Sequence, residues 1–402
     1  MAGPTAVSRG ALRLLVVTDA DLSATSRGAG RTLVNLLTHW DVEDALVLST
    51  SPAPVDGRAV AHRTLSTGWS APGRLRRWLD PLWGDTAAQW AAWQPLAQRD
   101  VVAAFDPEFL LVVPTSAAPL VLGERWSRAV RIPSATWLMD DWIQQDQVRW
   151  PSGDADAVAR RLLAANRGWL MISEYLADEV AQWTGLTRPV CVVHNAVALG
   201  ARPPWLATAR TGPFRLGYAG SIWPMHRDAL AVLAEAVRAR RAAGDEVELV
   251  FYTDAHGWAQ AQSFAGEGVV WGGLVSYERL RDTLGDCDLL VVASSFDAAH
   301  ERMTRSSVQT KITDYLAAGR AILNVGPAAG ACSRFLTDRG IACFLDDPRP
   351  EAAAAALGAA LRDRRALVAL AERGWEVVAR DHEIGAVGDR VAAFFDQCAG
   401  RG

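Results

Sequence analysis

Apolar positions along this chain follow two alternating rhythms. Short continuous apolar runs are separated by stretches in which apolar residues recur every three or four positions. The first half opens with such a run, Leu12 to Thr18, after a short leader. From about Arg31 the residues Leu33, Leu36, Leu37 and Trp40 recur at helical spacing. Further strands are predicted at Ala45 to Ser49, Phe109 to Val113, Val130 to Leu138, Trp169 to Ser173 and Val190 to His194, with a helix over Glu174 to Trp183. The second half repeats the pattern. Strands are predicted at Arg215 to Ala219, Val247 to Thr253, Val269 to Trp271, Leu289 to Ala293, Ala321 to Val325 and Ile341 to Leu345. Helices are predicted near Asp228 to Ala242 and Ser276 to Leu284. A continuous apolar run implies a strand buried on both faces, and its alternation with helices implies a parallel sheet covered on both sides. The expected fold class is therefore α/β, with two Rossmann-like doubly wound domains.

Between Ala196 and Pro213 lie three prolines and two glycines, the signature of a linker. Domains are expected at 1–198 and 199–380, followed by a C-terminal segment, 381–402.

The stretch from Val291 to Val325 carries the most chemistry. It reads as a strand, a polar loop, a short helix over Thr310 to Ala318 and another strand, with Gly319 as the helix C-cap. Lys311 and Asp314 are three residues apart, which projects them from one face of the first turn. A helix N-terminus favours an anion through its free N–H groups and dipole. A lysine there suits a diphosphate, and an acid one turn on suits a ribose hydroxyl. A surface Lys–Asp pair on an ordinary helix is the competing reading.

Written out, the segment is Thr310-Lys311-Ile312-Thr313-Asp314-Tyr315-Leu316-Ala317-Ala318-Gly319-Arg320-Ala321-Ile322-Leu323. It resembles the donor-binding signature of the retaining GT-B glycosyltransferases, family 4 and its relatives. The resemblance implies two Rossmann-like domains facing a central cleft, with the acceptor on the N-terminal side and the nucleotide sugar on the C-terminal side. It implies that the last helix, His382 to Phe395, crosses back to the first domain. It gives Lys311 the donor phosphates and Asp314 the ribose, with Ser307 and Thr310 beside them. Asp314 stands where the family usually has Glu, and the second family acid, eight residues earlier, falls on Ser306.

Other motifs extend the resemblance. Arg27-Gly28-Ala29-Gly30-Arg31 follows the first strand and is similar to the family's first-domain glycine loop, which points to Gly30; a tight strand–helix turn is the alternative. Gly217-Tyr218-Ala219-Gly220-Ser221-Ile222-Trp223-Pro224 resembles the entry to the second domain, where an Arg and a Lys usually meet the diphosphate. Here Ser221 replaces the Arg, and Arg227, next to His226, is the candidate cation; a solvated helix start is the alternative. Gly272-Gly273-Leu274-Val275-Ser276-Tyr277 resembles the stretch near the base, with Gly273 as the contact. Val192-Val193-His194-Asn195-Ala196-Val197 resembles the segment ending the first domain, where Asn195 shapes the hinge. Asp140 and Asp141 close a strand, where paired acids could orient an acceptor hydroxyl or take its proton; capping or loop acids are the alternative.

Composition narrows the classes. A chain of 402 residues accommodates two domains, and a net charge of −4 gives no reason to expect nucleic acid. No apolar run is long enough to span a bilayer, and residues 1–11 lack a signal-peptide core, so the expected location is cytoplasmic. The five cysteines are scattered without C-x-x-C spacing, arguing against a zinc site or a disulfide frame. Asp19-Ala20-Asp21 and Asp286-Cys287-Asp288 each spell D-x-D, but neither has convincing metal-ligand spacing. Trp69 to Trp93 mixes Arg74, Arg76 and Arg77 with four further tryptophans. It reads as helices packing the first domain or as a basic face lying on the inner membrane surface.

The expectation is a metal-independent transferase with no cofactor, moving a sugar from a nucleotide diphosphate sugar to a hydroxyl acceptor (glycan, lipid-linked or small molecule). The alternative is a degenerate GT-B protein that binds nucleotide, or scaffolds partners, without transfer.

Overall fold

The computed structural model describes residues 12–23, 26, 28–37, 44–49, 61–64, 96, 98–141, 154–201 and 212–401. Arg27, Trp40, Trp142, the 202–211 part of the linker and the Trp69 to Trp93 segment lie outside the described residues. The chain divides into two compact units, Met1–Val193 with Val387–Gly402, and His194–Ala386.

The first unit holds a seven-stranded parallel sheet. Its strands are β1 (Leu14–Thr18), β2 (Ala45–Ser49), β3 (Ala61–Thr64), β4 (Phe109–Val113), β5 (Ser134–Leu138), β6 (Gly168–Met171) and β7 (Val190–Val192). The order is β3-β2-β1-β4-β5-β6-β7. The run Leu-Leu-Val-Val in β1 is wholly buried, as a strand covered on both faces requires. The Val387–Gly402 segment packs on this sheet: Phe395 stacks on Phe109 at 4.4 Å between ring centroids, and Arg401 pairs with Glu108. Gly168 makes room for it, since a Cβ there would come within 2.5 Å of the Phe394 ring and 2.7 Å of Cys398 Sγ.

The second unit holds a six-stranded parallel sheet of β8 (Phe214–Ala219), β9 (Val247–Tyr252), β10 (Val269–Trp271), β11 (Leu289–Ala293), β12 (Ala321–Val325) and β13 (Ala342–Leu345). The order is β10-β9-β8-β11-β12-β13. Leu216, Phe251, Val291 and Leu323 from four of these strands meet Leu230, Leu233 and Leu357 from the covering helices in one core.

Sequence and structure differ at particular places. Val130 to Leu138 is not one strand: Ala117–Val130 is a helix, Arg131 turns it at φ +55°, and only Ser134–Leu138 pairs. β3 was not expected; His62 and Arg63 break any apolar run there. The polar loop after β11 contains a helix of its own, Glu301–Ser306. The helix starting at Pro224 begins earlier than expected because proline is suited to its first turn.

Both sheets share one topological feature. In the first, consecutive strands run outward from β1 in one direction, and the chain restarts at β4 on its other side. In the second the same reversal occurs between β8 and β11. Open α/β sheets bind ligands beyond the carboxyl ends of strands at such switch points.

Candidate functional site

In the second unit the switch point is occupied by the turn that follows β8. Gly220 adopts φ +114°, a region unfavourable to any side chain, and its N–H donates to Tyr252 O at 3.1 Å. The helix Lys311–Ala317 lies behind this turn and grips it through two side chains one helical turn apart. Tyr315 Oη accepts from Ala219 N at 2.8 Å and donates to Ala219 O at 3.3 Å, pinning the last residue of β8. Lys311 Nζ sits 3.8 Å from the centroid of the Tyr218 ring. A Cβ on Gly220 would be 3.5 Å from that nitrogen.

Lys311 Nζ is sealed from solvent and has no hydrogen-bond partner among the described residues. An ammonium in that position meets the tyrosine π-face, a modest attraction, and the nearby Cys332 favours the charged form slightly. Burial therefore pushes its pKa down from 10.5 to about 7. His226, buried beside Tyr218 with Nδ1 at 3.0 Å from Tyr218 Oη, is pushed to about 3, mainly by burial and then by the nearby Lys311 charge. Tyr218 Oη in turn donates to Ser221 O at 2.8 Å. The turn at Gly220 and Ser221 is thus backed by two tyrosines, a neutral histidine and a lysine.

Asp314 leaves the same helix in another direction. Its carboxylate accepts from Asn195 Nδ2 at 3.2 Å and from Tyr277 Oη at 3.3 Å. The expectation that Lys311 and Asp314 project together from one face of the first turn is corrected here. Lys311 turns inward under β8, while Asp314 stays half-buried and engaged with two other elements. The alternative of a solvated helix start fails for His226, which is buried.

The remaining expected residues divide by place. Arg227 is exposed near the start of the Pro224–Ala242 helix. Its neighbour Asp228 accepts from the backbone N–H groups of Phe296 and Asp297 at 2.7 and 3.2 Å, fastening that helix to the loop after β11. Gly273 adopts φ +78° in the loop after β10, with open space where a Cβ would stand. Thr310 precedes the Lys311–Ala317 helix without a side-chain cap, and its carbonyl accepts from Thr313 Oγ1 at 3.0 Å. Ser307 is held by its backbone, N–H to Met303 O at 2.9 Å and carbonyl to Cys332 Sγ at 3.6 Å. Ser306, the position of the second family acid, is fully buried and donates to Arg302 O at 3.1 Å, so a glutamate there would face the core.

In the first unit, Gly30 lies at the β1–β4 switch point in the helix Ala29–Leu37. A Cβ on Gly30 would stand 1.9 Å from Asp21 O, so the glycine admits a crossing backbone. Asp19 accepts from Thr115 N at 2.8 Å, joining the loops after β1 and β4. Burial raises its pKa, partly countered by hydrogen bonds from Ser116 and Thr115. Asp21 is a turn acid, accepting from Ser23 N and Oγ at 3.0 Å each. Asp140 and Asp141 follow β5, Asp140 exposed and Asp141 buried. Asp288, in the other D-x-D, accepts from Arg215 N at 2.8 Å and pairs with Arg364 at 3.3 Å, which is a structural role. Among the described residues no group of three or more His, Cys, Asp or Glu side chains could hold a metal ion.

Sequence reasoning missed Tyr218, Tyr315 and Tyr277. For Tyr315 a signal existed, since it follows Lys311 by one helical turn. For Tyr218 and Tyr277 the partners are remote in sequence and no local pattern reveals them.

No protein-family model matches the chain, and no curated protein does. Solved structures do match. HepE of Anabaena, in complex with UDP and glucose, aligns with a TM-score of 0.69 at 13% identity, over 96% of this chain and 100% of that one. Sucrose-phosphate synthase from Thermosynechococcus elongatus aligns at 0.71 and 12% identity, over 97% and 100%. A glycosyltransferase from Rickettsia africae aligns at 0.66 and 9%, over 96% and 98%. At these identities the likeness defines the fold. It is the α/β fold of GT-B proteins, with two doubly wound units.

Proposed function

We propose that the chain is a glycosyltransferase that moves a sugar from a nucleoside diphosphate sugar to a hydroxyl acceptor. The carrying observation is the sealed, unpartnered Lys311 ammonium behind the Gly220 turn at a switch point. A buried cation without a counter-charge calls for an anion, and the departing diphosphate is one. The UDP bound to HepE, a protein of the same fold, supports a uridine donor.

In this reading the bond from the sugar C1 to the diphosphate oxygen breaks while the acceptor oxygen bonds to C1. The acceptor's proton passes to the departing phosphate. Lys311 and Arg227 stabilise the developing charge, a preorganised electrostatic task that needs no metal here. Asp314 holds the ribose, Gly273 lies by the base, and Asp140 or Asp141 orients the acceptor. The reaction proceeds with retention, as the family 4 resemblance implies, on a glycan, lipid-linked or small hydroxyl acceptor in the cytoplasm. Contact with a membrane, where it occurs, is read as peripheral; no described helix is long and apolar enough to cross a bilayer.

The test is donor turnover, followed as nucleoside diphosphate released from a panel of UDP- and GDP-sugars with and without acceptors. Lys311→Ala should cut it at least about a hundredfold, the scale of losing one preorganised charge-stabilising group. Unchanged turnover would sink the proposal. A second reading, a degenerate member that binds nucleotide without transfer, draws on the same lysine. Its nitrogen is enclosed, and Ser221 and Ser306 replace two charged groups of the family. Nucleotide binding without release of product across all donors would favour it.

A further inference from the structure

Asp314 is aimed by two groups that converge on it from distant parts of the chain. Asn195, which follows β7 and is buried, lies 119 positions away and donates to Oδ2. Tyr277, 37 positions away and partly exposed, donates to Oδ1. Tyr277 is the first residue of the helix Tyr277–Gly285, directly after the loop that contains Gly273. Its phenol therefore ties the loop after β10 to the helix that carries Lys311, Asp314 and Tyr315.

A carboxylate can accept about four hydrogen bonds, and donors on both of its oxygens restrict its rotation. Orientation matters more here than in a glutamate site. An aspartate has one fewer rotatable bond and a shorter reach, so it meets a vicinal diol only if its plane is already correct. An exposed carboxylate free to rotate would lose side-chain entropy on binding and gain little in return.

On the donor-site reading above, we infer that Tyr277 is a positioning residue for recognition of the ribose. Its hydroxyl holds the Asp314 carboxylate in the orientation that distinguishes a ribose diol from 2′-deoxyribose. Tyr277 is thereby a determinant of ribonucleotide over deoxyribonucleotide donors, acting through Asp314. Its side chain is exposed, so Tyr277→Phe removes the hydroxyl without disturbing a packed core.

The experiment is calorimetric titration of the full chain with UDP against 2′-deoxy-UDP and GDP against 2′-deoxy-GDP, in wild type, Tyr277→Phe and Asp314→Asn. The wild type should favour the ribonucleotide by about tenfold or more, the scale of one or two hydrogen bonds to a charged acceptor. Asp314→Asn should abolish most of that preference. Tyr277→Phe should lower it by about three- to tenfold, through weaker ribonucleotide binding with 2′-deoxynucleotide binding unchanged. A merely structural role for Tyr277 would weaken both ligands alike, or neither, and leave the ratio intact.

If Asp314→Asn loses the preference and Tyr277→Phe keeps it, the inference falls and the donor-site reading stands. If Tyr277→Phe binds both nucleotides more tightly, the phenol is a competitor that ligand must displace, and the inference is wrong. If Asp314→Asn also keeps the preference, or no pair binds the wild type, the ribose assignment itself fails and the inference goes with it.

Discussion

Two glycine loops occupy equivalent places in the two units. Gly28 to Gly30 follows β1 and Gly220 follows β8, each at a switch point of its sheet. They are glycines for different reasons. Gly30 has no positive φ; it is small because the Asp21 carbonyl crosses where its Cβ would be. Gly220 has ordinary space around it but a backbone angle of +114°, and a buried lysine behind it. The first is a packing solution closed by neighbouring backbone. The second is a shaped turn backed by a buried lysine amine with no hydrogen-bond partner among the described residues. A glycine after a strand is therefore weak testimony by itself; what stands behind it decides whether the turn is built for a ligand.

Three substitutions sharpen that contrast. Gly30→Ala has the largest expected effect, about 3 kcal/mol or more of lost stability, because the obstructing atom is backbone and cannot swing away. A Tm unchanged from wild type in thermal unfolding would break the packing account.

Lys311→Met should act in the opposite direction. The folded chain holds this amine neutral down to about pH 7, whereas the unfolded chain keeps it protonated up to about pH 10.5. The unfolded state binds more protons across that window, so this group's contribution to stability rises with pH from about 7 to 10.5. Below pH 7 its penalty is complete. Lys311→Met should therefore stabilise the chain by roughly 2–4 kcal/mol at pH 6, shrinking toward zero by pH 10. The measurement is denaturant unfolding of both proteins across that range. A gain independent of pH, or a loss at pH 6, would show that the ammonium is compensated after all.

Gly220→Ala comes last, at about 1–2 kcal/mol of backbone strain, since 3.5 Å to Lys311 Nζ is ordinary contact. Its effect on nucleotide affinity should exceed its effect on stability. The reverse ordering, with Gly220→Ala more destabilising than Gly30→Ala, would invert the comparison.

Much of the scaffold is legible in the sequence, and the reason is local. Ala45–Ser49, Phe109–Val113, Val269–Trp271, Leu289–Ala293 and Ala321–Val325 are strands at their expected bounds. Each is an apolar run closed by a polar residue, turn or helix start, so a few neighbouring residues suffice to define it. The failures are equally physical. Val130 to Leu138 read as one strand because the helix end at Val130 and the strand start at Ser134 are both apolar in their surroundings. β3 was invisible because an edge strand containing His62 and Arg63 has no apolar run.

The candidate site divides along the same line. Lys311, Asp314 and Gly220 stand out in the sequence because they sit in short, patterned segments. Where their atoms go does not follow from those segments. Lys311 Nζ is placed by Tyr218, on a strand 93 residues earlier in the numbering, and Asp314 by Asn195 and Tyr277. His226, beside the candidate cation Arg227, is buried and held neutral, which its place in the sequence does not reveal.

The sequence by itself determined two doubly wound sheets and which short segments carry the chemistry. Strand and helix periodicities are properties of neighbouring residues, and burial of continuous apolar runs needs no knowledge of the partner. Only the tertiary structure decided that the lysine is enclosed, that the histidine is neutral and that the acid is aimed by two remote donors. Charge, burial and hydrogen bonding are set by what folds against a residue, and those partners come from β8 and from the segments after β7 and β10, far along the chain.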